Sequence, residues 1–143
     1  MSNDYPLVSI IIPTYNSSDY ITETLTKLEK QTYPNFEIVI VNDGSKDNTS
    51  SVLREYGLTH SRLIIINKEN GGVSSARNTG IRKAQGQFIC FMDDDDEIDP
   101  NYLLKMYSRQ HETGGDAIYC GLYGHHITVS YTHLRAHETS QDL

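Results

Sequence analysis

Phe88-Ile89-Cys90-Phe91-Met92-Asp93-Asp94-Asp95-Asp96 is the stretch that decides how this chain folds. An apolar run of strand-forming residues passes directly into four consecutive carboxylates. The apolar part predicts a buried strand, and the acids then sit at its C-terminal end, where open α/β sheets hold their ligands. Adjacent like charges repel and disfavour a compact state unless a counter-charge is supplied. No Lys or Arg lies between Lys83 and Lys105. That points to a divalent cation, and hard oxygen ligands suit Mg²⁺ or Mn²⁺. The commoner meaning of an isolated acidic run is a solvated loop. The strand in front of it and the loops elsewhere in the chain tip the balance towards a site.

Outward from this stretch, strands and helices alternate. Residues 7–13 (LVSIIIP) form a near-continuous apolar run of strand length, after which Ile21, Leu25 and Leu28 recur at helical spacing. Residues 36–41 (FEIVIV) make a second strand, closed by the turn Asn42-Asp43-Gly44-Ser45. A short helix follows, capped by Asp47 or Thr49, with Val52, Leu53 and Tyr56 inward. Residues 63–66 are a third strand, and Asn70-Gly71-Gly72 leads into a helix marked by Val73, Ala76, Gly80 and Ala84 and ended by Gly86. Past the aspartates, Asp99-Pro100 starts a helix lined by Leu104, Tyr107 and His111, Gly114-Gly115 stops it, and residues 117–122 make a fifth strand. This cadence predicts an α/β fold, a mostly parallel sheet with right-handed crossovers.

The bulk properties agree. A chain of 143 residues fits one domain that buries about two-thirds of its unfolded surface. The net charge of −7 and pI near 5.2 argue against nonspecific nucleic-acid or anionic-membrane binding, while still admitting an anionic ligand received by a metal or a local Arg. No segment approaches the length of a transmembrane span, and Met1-Ser2-Asn3-Asp4 lacks the basic start of a signal peptide, so a cytoplasmic protein is expected. Cys90 and Cys120 fall in strand-like runs and read as buried free thiols without metal-site spacing. Residues 125–143 hold four of the six histidines, with no apolar periodicity and no capping pattern. They read as a disordered or non-native tail after a domain spanning residues 1–124. His133 and His137 share helical spacing, but Glu138 follows the second His, so the HExxH zinc pattern is absent.

Three loops after strands one, two and four share one edge of a parallel sheet. Pro13-Thr14-Tyr15-Asn16 offers a flat ring with polar neighbours, which suits a base or sugar. Asp43 stands directly after a buried strand, where a carboxylate can accept from a base N–H or a ribose hydroxyl. Arg77 sits one turn into a helix lined by small residues, within reach of a diphosphate. GxGxxG and GxxxxGK[ST] are both missing. The aspartate run fails as an EF-hand loop, having Ile98 where glycine is required and Leu104 where the bidentate Glu belongs.

Together these blocks resemble the N-terminal, nucleotide-sugar-binding half of family 2 glycosyltransferases with the GT-A (Rossmann-like) fold. The matching residues are Val8 to Asn16, Val41-Asn42-Asp43-Gly44-Ser45, Asn70 to Ile81, Ala84-Gln85-Gly86 and Phe91 to Asp96, in that order, within residues 6–122. The resemblance implies a metal-dependent, inverting transfer of a sugar from a nucleotide-diphosphate sugar, most often a UDP-sugar, to a saccharide or lipid-linked acceptor. It places the protein in the cytoplasm, free or at the inner face of the membrane. It implies donor-binding roles for Pro13, Thr14, Tyr15, Asp43, Arg77, Asp93 and Asp94, with Tyr15 and Asp43 on the base and Arg77 near the diphosphate. The family's DxD motif maps to Asp93-Asp94-Asp95, making Asp95 the main ligand of Mn²⁺ or Mg²⁺ and placing Asp93 on the ribose or the metal. The run of four leaves Asp96 open for the ligand role.

The family keeps its general base and acceptor surface well beyond the DxD motif, and this chain ends after the fifth expected strand without a carboxylate in such a context. A catalytically inert nucleotide-binding module is therefore the alternative. A phosphoacceptor signalling domain also clusters aspartates at strand ends, but it requires a lysine at the end of the fifth strand, and Ile118-Tyr119-Cys120-Gly121-Leu122 has none.

Overall fold

The computed structural model describes residues 5–123 and 126–132, with side chains as far as residue 116. Contacts divide the chain into two units, Met1–Ile98 and Asp99–Leu143.

The first unit runs β1 (Val8–Thr14), α1 (Ile21–Leu28), β2 (Phe36–Asp43), α2 (Thr49–Gly57), β3 (Leu63–Lys68), α3 (Val73–Lys83) and β4 (Phe88–Phe91). The four strands are all parallel, in the order β3-β2-β1-β4. Every residue of β1 and β2 is buried, as central strands covered on both faces require, and this is why both read as continuous apolar runs. The order steps one way from β1 to β3 and then back past β1 to β4. Right-handed crossovers therefore put α1 and α2 on one face and α3 on the other. Burial follows this: Ile11, Val39 and Val41 pack with Ala76 of α3. Ile10, Ile12, Ile38 and Ile40, one residue out of phase, are fully buried on the opposite face, as are Ile21, Leu25 and Leu28 of α1 and Leu53 of α2. Helix α3 lies close to the sheet because Gly80 lets it: a Cβ there would stand 2.5 Å from Ile11 Cγ2. The reversal of direction falls between β1 and β4, and it opens the crevice at their C-terminal ends.

Two polar groups are deliberately placed inside the central strands. Ser9 Oγ donates to Glu37 Oε2 at 2.6 Å, Gln85 N donates to the same oxygen at 2.8 Å, and Gly86 N donates to Ser9 Oγ at 2.8 Å. These bonds satisfy a buried carboxylate and pin the turn between α3 and β4.

Some sequence expectations are corrected. Strand β4 is an outermost strand of the sheet rather than a buried one, so Ile89 and Phe91 are 41% and 49% exposed while Met92 is buried. Cys90, on the other face of β4, is half-buried rather than buried. Helix α2 has Asn48 at its N-cap position, but neighbouring Asp47 performs the capping: Oδ1 accepts from Thr49 N at 2.9 Å and from Thr49 Oγ1, and Oδ2 accepts from Ser18 N and Oγ. The Thr49 hydroxyl bond is the main cause that holds the Asp47 carboxyl down at about 2, from an ordinary 3.8. A depressed acid stabilises the fold above its unfolded value and loses that contribution as pH falls through its folded one. Wild-type chain should therefore melt higher than Asp47→Asn at pH 5, with the gap closing between pH 4 and about 2. A gap independent of pH in paired melting curves would exclude an ionised cap.

The second unit comprises α4 (Tyr102–Thr113), β5 (Ala117–Tyr123) and β6 (His126–Thr132). Helix α4 opens later than the expected Asp99 cap with Pro100 at the first helical position: Asn101 stands at the N-cap, while Asp99 Oδ1 accepts from Asn101 N at 2.7 Å and its carbonyl from Tyr102 N at 2.9 Å. The left-handed Gly114 ends it. Leu103 is the buried residue of α4, with Leu104 and Tyr107 half-buried and His111 exposed. Strand β5 pairs antiparallel with β6 in a separate two-stranded sheet instead of joining the parallel one. The backbone is thus strand over His126–Thr132, where irregular chain was expected. The segment alternates Ile127, Val129 and Tyr131 with Thr128, Ser130 and Thr132, a period-two pattern that a search for helical periodicity passes over. The Cys120 side chain, His133, His137, Glu138 and Asp142 lie outside the described residues.

Candidate functional site

The C-terminal ends of the four parallel strands meet along one edge. Strand β1 ends in Thr14, followed by Tyr15, which is 42% exposed, and by Asn16, which takes a left-handed φ of 52°. Asn16 tolerates that conformation through local bonds. Its Oδ1 accepts from Lys46 N at 2.8 Å, and its own N donates to Ser45 Oγ at 2.9 Å. The loops after β1 and β2 are stitched together, and this presents the Tyr15 ring.

Strand β2 ends in Asp43, which is buried. Its Oδ1 accepts from Gly71 N at 2.9 Å and from Lys68 Nζ at 3.1 Å, and its Oδ2 accepts from Gly72 N at 2.9 Å. Burial pushes this carboxyl up, but the bonds from Gly71, Lys68 and Gly72 together outweigh it and hold it below the usual range. Gly44, at φ 73°, lets the chain turn against Asn70, whose backbone N would lie 2.6 Å from a Cβ there. Asp43 thus fixes the loop that opens α3.

The aspartate run follows β4 as a turn: Asp96 N donates to Asp93 O at 3.1 Å, and Asp93 N donates to Asp96 Oδ2 at 2.9 Å. Carboxylate oxygens of Asp93, Asp95 and Asp96 all lie within 4.8 Å of one another, and all three residues are exposed. Asp94 turns the other way, accepting from Thr14 Oγ1 at 2.7 Å and from Tyr20 Oη at 3.2 Å. Burial, then the charge and hydrogen bond of Asp94, raise the Tyr20 hydroxyl above its ordinary value.

No cation is near in sequence, yet α3 carries Arg77 across to Asp93, Nη2 to Oδ1 3.2 Å. Arg77 offsets one of four charges, and its buried Nε finds no acceptor among the described residues. Three converging hard oxygens with most of their charge uncompensated fit Mn²⁺ or Mg²⁺.

A cleft of about 390 Å³ unites these groups. Pro13, Thr14, Tyr15, Asp43, Arg77, Asp93, Asp94 and Asp95 all line it, and Asp96 joins through the aspartate turn. Tyr20 and Val73 complete the lining and were not among the expected site residues. Tyr20 could have been found as the phenol at the N-cap of the helix that follows the first loop.

Residues 9–140 match the family model described as glycosyl transferase family 2. The chain belongs to glycosyl transferase family 2. This family 2 domain is 39% identical over 118 residues to the uncharacterized glycosyltransferase EpsJ of Bacillus subtilis, covering 82% of this chain and 34% of that protein. Among solved structures it is similar to S. aureus TarS 1–349 in complex with UDP-GlcNAc, with a TM-score of 0.70 at 36% identity over 78% of this chain and 32% of that one. It is also similar to the mannosyltransferase PcManGT from Pyrobaculum calidifontis in complex with GDP-Man and Mn²⁺, with a TM-score of 0.72 at 30% identity over 77% and 34%. The glycosyltransferase domain described here therefore spans about a third of the length of such relatives. The fold is the expected GT-A α/β architecture, with the parallel sheet carried by four strands. Among the described residues, no helix is long and apolar enough to cross a membrane.

Proposed function

We propose that the cleft binds a nucleotide-diphosphate sugar, a UDP-sugar foremost, through a divalent cation, and that the protein transfers the sugar with inversion to a saccharide or lipid-linked acceptor hydroxyl in the cytoplasm or at the inner face of the membrane. The observation that carries this is the convergence of an exposed aromatic, a buried acceptor, a guanidinium and an aspartate triad on one cleft. Tyr15 offers its ring to the base. Asp43 Oδ2, with one bond made and acceptor capacity left, takes a base N–H. Arg77 turns from Asp93 towards the diphosphate, where its unmet Nε finds an acceptor. Asp95, with Asp93 and Asp96, holds the cation. When bound, Mn²⁺ or Mg²⁺ would neutralise diphosphate charge and act as a Lewis acid on the leaving nucleoside diphosphate. No residue around the cleft is assigned as the base that deprotonates the acceptor.

Calorimetric titration of the chain with UDP, GDP and dTDP, in Mn²⁺ and in EDTA, tests this. UDP should bind tightest, and chelation should weaken it by about a hundredfold, ~3 kcal/mol, because diphosphate and aspartates then face each other unscreened. Equal affinity in chelator and metal would end the metal-bridge idea. Labelled UDP-sugars then separate transfer or hydrolysis from binding without turnover.

A further inference from the structure

Four adjacent carboxylates cannot all turn to one cation, and the side chains divide the work unevenly. Asp93, Asp95 and Asp96 are exposed and converge, while Asp94 is half-buried and points away from them towards the start of α1. Thr14 Oγ1 donates to Asp94 Oδ2 at 2.7 Å, Tyr20 Oη donates to Oδ1 at 3.2 Å, and Thr24 Oγ1 donates to the Asp94 carbonyl at 2.8 Å. Both carboxylate oxygens and the carbonyl are therefore met by hydroxyls.

We propose that Asp94 is a positioning residue and not a ligand, and that Thr14, Tyr20 and Thr24 form the socket that holds it so that Asp93, Asp95 and Asp96 converge. This rests on the metal-site reading above and deepens it. Thr14 is the last residue of β1, Tyr20 stands at the N-cap of α1 and Thr24 follows in its first turn, so the socket spans the switch point of the sheet. The ladder continues along α1 with Lys27, whose Nζ is 2.9 Å from Glu97 Oε1. That pair is exposed and contributes little alone, but it extends the grip past the aspartates. Thr14 is itself buttressed by Ser17, hydroxyl to hydroxyl. Hydroxyl donors suit a carboxylate that must keep its place beside other anions: they bond it without bringing a positive charge that would compete with the cation. Asp94 acts on the cation through the backbone it anchors, as outer residues commonly do for metal ligands.

The test is the ratio of UDP affinity in Mn²⁺ to that in EDTA, measured on the full chain well below the melting temperature of each variant. Asp94→Ala should lower this ratio by about tenfold or more, the usual effect of losing support behind a metal ligand. Asp94→Asn, which keeps an acceptor for Thr14, should recover most of the loss, whereas Asp95→Asn should abolish the ratio. The double variant Tyr20→Phe, Thr24→Val, which changes no charge, should lower the ratio by about threefold to tenfold. Three results would overturn the proposal while leaving the metal site intact. These are Asp94→Asn as damaging as Asp95→Asn, an undiminished ratio in Asp94→Ala, or a double variant whose UDP affinity falls equally in Mn²⁺ and EDTA. A wild-type chain with no Mn²⁺ effect at all overturns the metal-site reading, and the proposal with it.

Discussion

Asp95→Ala removes the Mn²⁺-dependent part of nucleoside diphosphate affinity, bringing UDP binding in Mn²⁺ down to its level in EDTA. The expected loss is on the order of a hundredfold, ~3 kcal/mol, and exceeds that of the same change at Asp93 or Asp96. The difference follows from what each acid already does. Asp93 is partly compensated by Arg77, and one oxygen of Asp96 is committed to the backbone N of Asp93. Asp95 makes no hydrogen bond or ion pair among the described residues, so its charge is the one most available to a cation. Calorimetry of the three alanine variants checks the order. If Asp96→Ala proves the most damaging, the ligand register moves by one residue.

Asp43→Ala should be the most destabilising change at the site. It strips the acceptor from Gly71 N and Gly72 N and leaves the mostly buried Lys68 ammonium facing an apolar methyl. Gly71 and Gly72 are exposed enough for water to reach their freed N–H groups, so each lost bond to the carboxylate counts at its net value of ~1.5 kcal/mol, and the urea midpoint should report a loss of about 3 kcal/mol in all. UDP binding should fall with it in both Mn²⁺ and EDTA, because the base contact does not pass through the metal. The stability gap between wild type and variant should narrow as pH falls through the depressed folded value of Asp43. A variant of wild-type stability would show that the loop opening α3 is held by other bonds.

The strand-helix cadence of the first unit was legible because each element carries its own periodic signal and punctuation, from the apolar run of β1 to the glycines before α3. The site was legible for a topological reason: residues that follow parallel strands must share an edge, so Tyr15, Asp43 and the aspartates meet without any contact being known. Facts that depend on side-chain direction were not legible. Sequence spacing hid the reach of Arg77 to Asp93, because α3 lies beside β4 in space and not in the chain. It hid the inward turn of Asp94, because four identical letters give no hint of which one faces a hydroxyl. The partial exposure of β4 was hidden too, since an apolar run reads the same at the centre of a sheet and at its margin. Strand β6 was hidden because its signal is a period-two alternation, Ile127, Val129 and Tyr131 against Thr128, Ser130 and Thr132, with no helical periodicity or cap to mark it.

Strand β4 is fastened at both ends: Gly86 N is bonded to Ser9 Oγ, leaving no room for a Cβ, which would stand 2.7 Å from Ser9 N, and Met92 N is bonded to Ile11 O at 3.1 Å. Between these fixed points the strand works as a ruler. Its length counts out which of four indistinguishable acids arrives opposite the hydroxyls of α1, and a slip of one residue would exchange the faces of every side chain along it. An extra aspartate gained after Asp96 would lengthen a loop and leave the count unchanged. An apolar residue inserted between Gly86 and Asp93 would instead lengthen the ruler and hand the role of Asp94 to Asp93. A repetitive tract whose members are chemically identical is thereby given individual identities by the framework that measures it.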